Sequence, residues 1–215
     1  IRLTPKGLLA FEDLDRRATA EVAEQLAPLS DAEQARLFGA MEAIGEILGG
    51  THTAPSFVLR PLGPSDFGWV VSKHGELYSR EYGWDENFEA LVARIIADYI
   101  ERRNPKRDAA WIAEVDGRRV GCVFCVEKEP TVAQLRLLLV DPKARGMGIG
   151  ARLVEECIRF ATAAGYERMM LWTNDILTAA RRIYEGAGFA LTKEEPHHSF
   201  GHDLVSQDWW LDLRG

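Results

Sequence analysis

The sequence predicts an α/β (α+β) chain, with one mixed β-sheet flanked by helices and an N-terminal helical hairpin before it. Three observations carry this. Apolar stripes at helical spacing dominate residues 1–48. Strand-like runs joined by an Asp-Gly turn dominate the middle. Two strand-then-helix units come after them, the first opening its helix with Gly146, Gly148 and Gly150.

The elements read in order. "IRLTPKG" is a short strand-like piece. Leu8, Phe11, Leu14, Ala18, Val22 and Leu26 then fall near helical spacing until Pro28 ends the pattern. Ser30-Asp31-Ala32-Glu33 fits a capping box. Leu37, Met41, Ile44 and Leu48 form one apolar stripe, closed by Gly49-Gly50. Two such helices cannot bury both stripes alone. They need the rest of the chain or a second copy. "GGTHTAPS", residues 49–56, is a linker by composition, and a new domain fills 57–215.

That domain opens with "FVLRPLGP", a strand broken by prolines. Residues 65–85 read as a helix and loop. Asp85 can cap the next helix, whose apolar face is Phe88, Leu91, Val92, Ile95 and Tyr99, and Asn104-Pro105 stops it. "AAWIAEV" and "RRVGCVFCVE" flank Asp116-Gly117 as a hairpin. "AQLRLLLV" is a strand, "GARLVEECIRFATAAG" a helix, "RMMLWTN" a strand and "ILTAARRIYEGAG" a helix. "FALTKEE" and "QDWWLDL" are the last strands.

Composition removes several classes of function. The net charge of −7 over 215 residues argues against a broad nucleic-acid surface. Residues 1–48 carry five basic against nine acidic residues and are no DNA grip. No apolar run approaches the ~20 residues of a membrane span, and no signal peptide is visible. Ile1 at the start implies a fragment or a processed chain. The three cysteines imply reduced thiols and a cytoplasmic protein. Cys122-x-x-Cys125 is not read as a metal site. It lies in a strand, where residues three apart face opposite ways, and no second ligand pair accompanies it.

The glycine turn asks for an explanation. Glycine in a regular element costs roughly 0.5–1 kcal/mol against alanine. A helix N-terminus leaves backbone N–H groups unpaired and carries partial positive charge, so an anion settles there. There is no Gly-Lys-Ser/Thr, and the glycine spacing is not that of a dinucleotide fold. A diphosphate cradle of another kind remains, from Arg145 to Ala151.

Arg145-Gly146-Met147-Gly148-Ile149-Gly150 matches Arg/Gln-x-x-Gly-x-Gly/Ala, and here the chain resembles the GNAT N-acetyltransferases. The context, strand, Asp-Pro turn, motif and helix, is similar too. "RRIYEGAGF" carries Tyr184, Gly188 and Phe189 at that family's spacing. The resemblance spans residues 57 to about 213. It implies a GNAT fold, whose mixed central sheet is splayed between "LRLLLV" and "MMLWTN". It implies acetyl-CoA as cofactor. The diphosphate would lie on Arg145, Gly146, Met147, Gly148, Ile149, Gly150 and Ala151. The pantetheine arm would pair with Leu138, Leu139 and Val140, and Asn174 and Ala180 would add contacts. An N–H near Leu139 would face the thioester carbonyl. The family's usual asparagine, seven residues before the tyrosine, is here Leu177, with Asn174 as the candidate substitute.

The resemblance makes Tyr184 the general acid, or only a hydrogen-bond donor. A free phenol has a pKa of about 10 against about 8.5 for a thiol. The base stays open. Gln134 and Arg136 occupy the position where relatives often carry one, and neither is basic at neutral pH. Glu114, Glu127, His197, His198 and water are the alternatives, with His197 carried as the catalytic candidate. His74, Tyr78, Glu81 and Trp84 fall where the family's acceptor helices lie, and Glu81 with aromatics suits an amine. The implied reaction acetylates a primary amine of a small molecule or protein. The alternative is a non-catalytic acyl-CoA or amine sensor.

"LTPKG" and the helix after it resemble the C-terminal end of a MarR-type winged-helix regulator. That implies a regulator–enzyme fusion and a homodimer through residues 1–48. DNA would be reached only through an upstream winged-helix part absent from this chain.

Overall fold

Asp116 and Gly117 both have positive φ, 49° and 73°, and fold the first long hairpin of the sheet. This computed structural model describes residues 57–214 and, upstream, Leu29, Glu33, Leu37 and Ala40. The expected helical hairpin at 1–48 and the linker at 49–56 otherwise lie outside the described residues. The chain divides into two units, Ile1–Thr53 and Ala54–Gly215. The second unit holds the sheet.

Seven strands form that sheet: β1 (Phe57–Pro61), β2 (Ala109–Val115), β3 (Arg118–Glu129), β4 (Val132–Val140), β5 (Arg168–Asn174), β6 (Ala190–Ser199) and β7 (His202–Asp212), in the order β1-β2-β3-β4-β5-β7-β6. Among the described residues only β4 and β5 run parallel, so the sheet is mixed as expected. The helices of this unit are α1 (Asp66–Tyr82), α2 (Glu86–Arg102), α3 (Ile149–Ala163) and α4 (Thr178–Gly186). Asp85 caps α2 as its sequence position predicts, accepting from the Asn87 amide at 3.0 Å. Among the described residues no helix is long and apolar enough to cross a membrane.

Alternation along β3 feeds two cores. Val123 and Cys125 pack under α3 with Leu153, Val154 and Cys157. Cys122 and Phe124 pack under α1 and α2 with Val70, Leu77, Phe88, Val92 and Tyr99. Each large side chain so buried contributes about 1.5–3 kcal/mol. The two cysteines of the Cys-x-x-Cys run therefore sit on opposite faces, as period-two geometry requires. All three cysteines are free and buried.

Two irregularities shape the site. Pairing of β4 with β5 ends at Leu135 and Leu171, while β4 continues to Val140 against β3 alone. The parallel strands thus part company, leaving one edge of β4 unpaired. Beside the gap, β4 bulges. One residue lies between Cys122 and Phe124 on β3, and two lie opposite them, between Arg136 and Leu139. Leu137 adopts φ 52°, and its carbonyl accepts from the Cys122 thiol at 3.2 Å.

One expected boundary needs correcting. The sequence predicts a strand that ends at Glu195, but β6 runs on through the histidine pair to Ser199. Pro196 does not break it because β6 is an edge strand, where a missing N–H is tolerated.

Candidate active site

Two cavities meet where β4 leaves β5. One, of about 380 Å³, lies over the glycine turn. The other, of about 770 Å³, lies under α1, α2 and the β6–β7 hairpin. Tyr78, Leu138, Leu177 and Ala180 border both.

The glycine-turn cavity is built mainly from backbone. Asp141 accepts from the Lys143 amide at 3.0 Å, starting the short Pro142–Ala144 turn, and Lys73 of α1 holds the other carboxylate oxygen at 2.8 Å. The chain then passes Gly146 and Gly148 at φ 85° and 76°, a region that side chains strain to enter. A Cβ on either would meet no protein atom within 4 Å, so the space beside them is open. Gly150 has a different cause. A Cβ there would meet Ile183 Cδ1 at 2.6 Å, so it lets α4 approach α3. The first turn of α3 has no side-chain cap. Among the described residues, the amides of 146–151 find no protein acceptor. They form a row of unsatisfied donors on the positive end of a helix dipole.

Leu138, Leu139, Val140, Arg145, Gly146, Gly148, Ile149, Gly150, Ala151 and Ala180 all line this cavity. Met147 does not, and packs instead against the α3 core. Glu81 is also placed differently from its expected acceptor position. It lines the glycine-turn cavity, and both its oxygens accept from Arg145 Nη2, at 2.8 and 2.9 Å.

The larger cavity is built from side chains. Tyr78 packs against Trp84 and Phe88 at 5.0 and 4.4 Å between ring centroids. Phe200, at φ 57° in the hairpin tip, packs on Trp84 at 4.7 Å. Two hydrogen bonds hold that tip down: the Asp85 amide donates to the Phe200 carbonyl at 3.2 Å, and the His202 side chain donates from Nε2 to the Gly83 carbonyl at 3.0 Å. His74 is 1 % exposed, donates from Nδ1 to the Val70 carbonyl at 2.8 Å, and leaves Nε2 unpaired. Burial lowers its pKa to about 4, against the small opposing pull of the carbonyl, so the ring is neutral near pH 7. Trp84 Nε1 and Asn174 Nδ2 are likewise buried without partners.

Tyr184 lines the larger cavity, 5 % exposed. Among the described residues, no protein group hydrogen-bonds its hydroxyl. Burial raises its pKa well above that of a free phenol, and Cys157 adds to the rise. Tyr78 is raised too, by burial and then by the neighbouring Tyr184. Both phenols are hydrogen-bond donors, not sources of phenolate.

The remaining expected residues divide. His197, the catalytic candidate, lines neither cavity. Its Nε2 donates to Asn174 Oδ1 at 2.8 Å, and its Nδ1 accepts from the Ser199 hydroxyl at 2.9 Å. Both ring nitrogens are engaged, so it orients Asn174. Strand alternation turns its neighbour His198 into the cavity instead. Asn174 lines the larger cavity, not the glycine-turn one. Glu114 and Glu127 are held by Arg60 and Arg107 at 2.7 Å and border neither cavity. Arg94, Trp172 and Phe200 line the larger cavity without being candidates by sequence. Only Phe200 leaves a signal there, in the Phe-Gly pair of a hairpin tip.

Comparison with known proteins agrees with this geometry. The model of a family described as Acetyltransferase (GNAT) family matches residues 71–189. An uncharacterized N-acetyltransferase of Schizosaccharomyces pombe is 30 % identical over 145 residues, covering 66 % of this chain and 86 % of its own. The N-acetylaspartate synthetase of Xenopus tropicalis is 34 % identical over 89 residues, covering 41 % of this chain but only 33 % of its own. In three dimensions the chain is similar to YncA of Salmonella typhimurium, solved with its cofactor acetyl-CoA. The TM-score is 0.61 at 18 % identity, covering 73 % of this chain and 94 % of that one. It is also similar to a ribosomal-protein-alanine N-acetyltransferase of Brucella melitensis, with TM-score 0.60 at 20 % identity, covering 72 % and 99 %.

Proposed function

Because the chain belongs to the GNAT family of acetyltransferases, we propose that its two joined cavities transfer an acetyl group from acetyl-CoA to a primary amine. The observation that carries this is the row of unpaired amides at 146–151, opening on a cavity that meets a second, aromatic one beside Tyr184.

The residues present fit the cofactor. Acetyl-CoA brings an acyl group activated as a thioester. The amides of 146–151 suit its diphosphate, with Arg145 at the rim. The unpaired edge of β4 at Leu138, Leu139 and Val140 suits an extended amide-bearing arm, added as a strand would be. Tyr184 offers its hydroxyl at the far end. Burial raises this phenol, but the same burial disfavours a thiolate, so the hydroxyl stabilises departing sulfur by donating a hydrogen bond. Desolvation in the aromatic cavity favours a neutral amine, which attack requires. His74 is too weakly basic to take the amine's proton. His198, 68 % exposed on the cavity wall, is the lining imidazole that can pass a proton to water.

The family alone does not choose the acceptor: relatives are named for making N-acetylaspartate and for acetylating ribosomal-protein alanine. A thiol-release assay across amines, with Tyr184→Phe as control, tests the reaction. Cofactor binding without release on any amine would replace the enzyme with the acyl-CoA or amine sensor. Further, we read residues 1–48 as the dimer-forming end of a MarR-like regulator fused to this domain, on the strength of "LTPKG" and the stripe after it. A monomer mass for the 215-residue chain in sedimentation would remove the homodimer. Buried, free cysteines suit a cytoplasmic location.

A further inference from the structure

The larger cavity holds a cation that the protein leaves unanswered. Five arginines among the described residues are half-buried: Arg60, Arg107, Arg119, Arg136 and Arg181. Arg60 meets Asp66 and Glu114, Arg107 meets Glu127, Arg119 meets Asp66, and Arg181 meets the Asp175 carbonyl. Arg136 meets no acceptor among the described residues, although it lines the cavity. The one charge acting on it is Asp98, which lies beside Arg102 at 4.0 Å. A partly desolvated guanidinium with no hydrogen-bond partner is less favourable than one that meets an anion.

The other charges of the cavity wall do not answer it. Asp85 is committed to the α2 cap through Asn87, at 3.0 Å to both the amide and Nδ2. His198 faces Asp203 at 2.7 Å. His74 is neutral. Arg94 adds a second cation without an ion-pair partner among the described residues. The unpaired buried groups of the wall include two donors, Trp84 Nε1 and Asn174 Nδ2. Cationic and donor-rich, the cavity calls for a ligand that accepts.

We propose that the acceptor is a small amine bearing a carboxylate, an amino acid in chemical class, and that Arg136 binds the carboxylate. This rests on the acetyl-transfer reading above. A guanidinium grips a carboxylate with two parallel N–H donors, a geometry that also orients the molecule. Arg136 lies two residues before Leu138, where the cavities join. A compact ligand held there keeps its amine near the junction and Tyr184. The hairpin tip folded onto the α1–α2 loop roofs the cavity, and its volume of about 770 Å³ suits a small molecule.

The test compares alanine, phenylalanine and methionine with their α-amides, and with spermidine, in thiol release from acetyl-CoA. Wild type, Arg136→Gln and Arg136→Lys are assayed. The acids should exceed their amides at least tenfold in kcat/KM. Arg136→Gln should remove that preference, leaving the amides within threefold and the KM for acetyl-CoA unchanged, and Arg136→Lys should restore part of it. Amides or spermidine used as well as the acids would overturn the carboxylate and keep acetyl transfer. A second arm needs no turnover. With coenzyme A present, N-acetylphenylalanine should raise the melting temperature of wild type but not of Arg136→Gln, and N-acetylphenylalaninamide should raise neither. Absence of that difference overturns the anion site, whether or not any amine is acetylated.

Discussion

The two cavities are made of different material. The glycine-turn cavity presents amides from one continuous stretch, 146–151, and a strand edge just before it. The aromatic cavity presents side chains from α1, α2, β4, β5, α4 and the β6–β7 hairpin. Backbone donors suit a diphosphate whatever side chains surround them. Their geometry depends on φ and on helix direction, not on which side chain evolution leaves there. Side chains gathered from distant segments can be exchanged singly without moving the scaffold. In the proposed reaction the main chain holds the cofactor and exchangeable side chains hold the acceptor.

Substitutions on either side test whether the two cavities act separately, on a scale where 1.36 kcal/mol is tenfold. In the proposed reaction Tyr184, on the wall of the larger cavity, donates to the departing sulfur. Tyr184→Phe should lower kcat by about 100-fold, with the KM of neither substrate moved more than about twofold. Steady-state kinetics decide this, and a change confined to KM would make Tyr184 a packing residue.

His74 should set the acid tolerance of the aromatic side. An unfolded imidazole takes a proton below about 6.5. The folded one does so only below about 4. The unfolded state therefore binds more protons between these values, and stability falls as pH drops through that window. A loss of about 3 kcal/mol is expected by pH 4, followed down in steps by urea unfolding. His74→Phe should flatten that part of the profile, and an unchanged slope would place the acid sensitivity elsewhere.

On the backbone side, Gly148→Ala forces a side chain to φ 76° and sets a methyl among the free amides. Left-handed backbone costs roughly 1–2 kcal/mol. The KM for acetyl-CoA should rise about tenfold while that for the amine stays put. If both rise together, the two cavities are not separable in function.

The smallest effect concerns Glu81. Its pair with Arg145 is nearly half exposed on the arginine side and is worth under about 1 kcal/mol. Glu81→Gln removes an anion that competes with a diphosphate for Arg145. Calorimetry should show coenzyme A binding two- to threefold tighter at low salt, fading as salt rises. Weaker binding would mean that Glu81 positions Arg145 instead of competing for it.

Much of this is readable from order along the chain. Asp116-Gly117, the Asp85 cap and the strands at 109–115 and 168–174 follow from local chemistry and period-two patterning, and each lies where the sequence predicts it. The glycine turn is readable too, because the need for positive φ and for close approach leaves its mark on adjacent residues. Even there, one glycine misleads. Gly150 resembles its neighbours in sequence, but it answers to Ile183, a contact across two helices.

The rest depends on which segments meet. Nothing in the neighbourhood of Glu81 shows that it faces Arg145, sixty-four positions away. The side of β6 that faces the cavity, and so the choice between His197 and His198, is set by pairing with β7. In sequence, Arg136 merely stands where a base is expected. Packing makes it a half-buried cation with no partner among the described residues. The elements, the family and the glycine turn were legible along the chain, because they rest on propensity, capping and dihedral freedom within a few residues. The aromatic cavity and its unpaired cation come from packing, because desolvation and charge pairing are properties of neighbours in space.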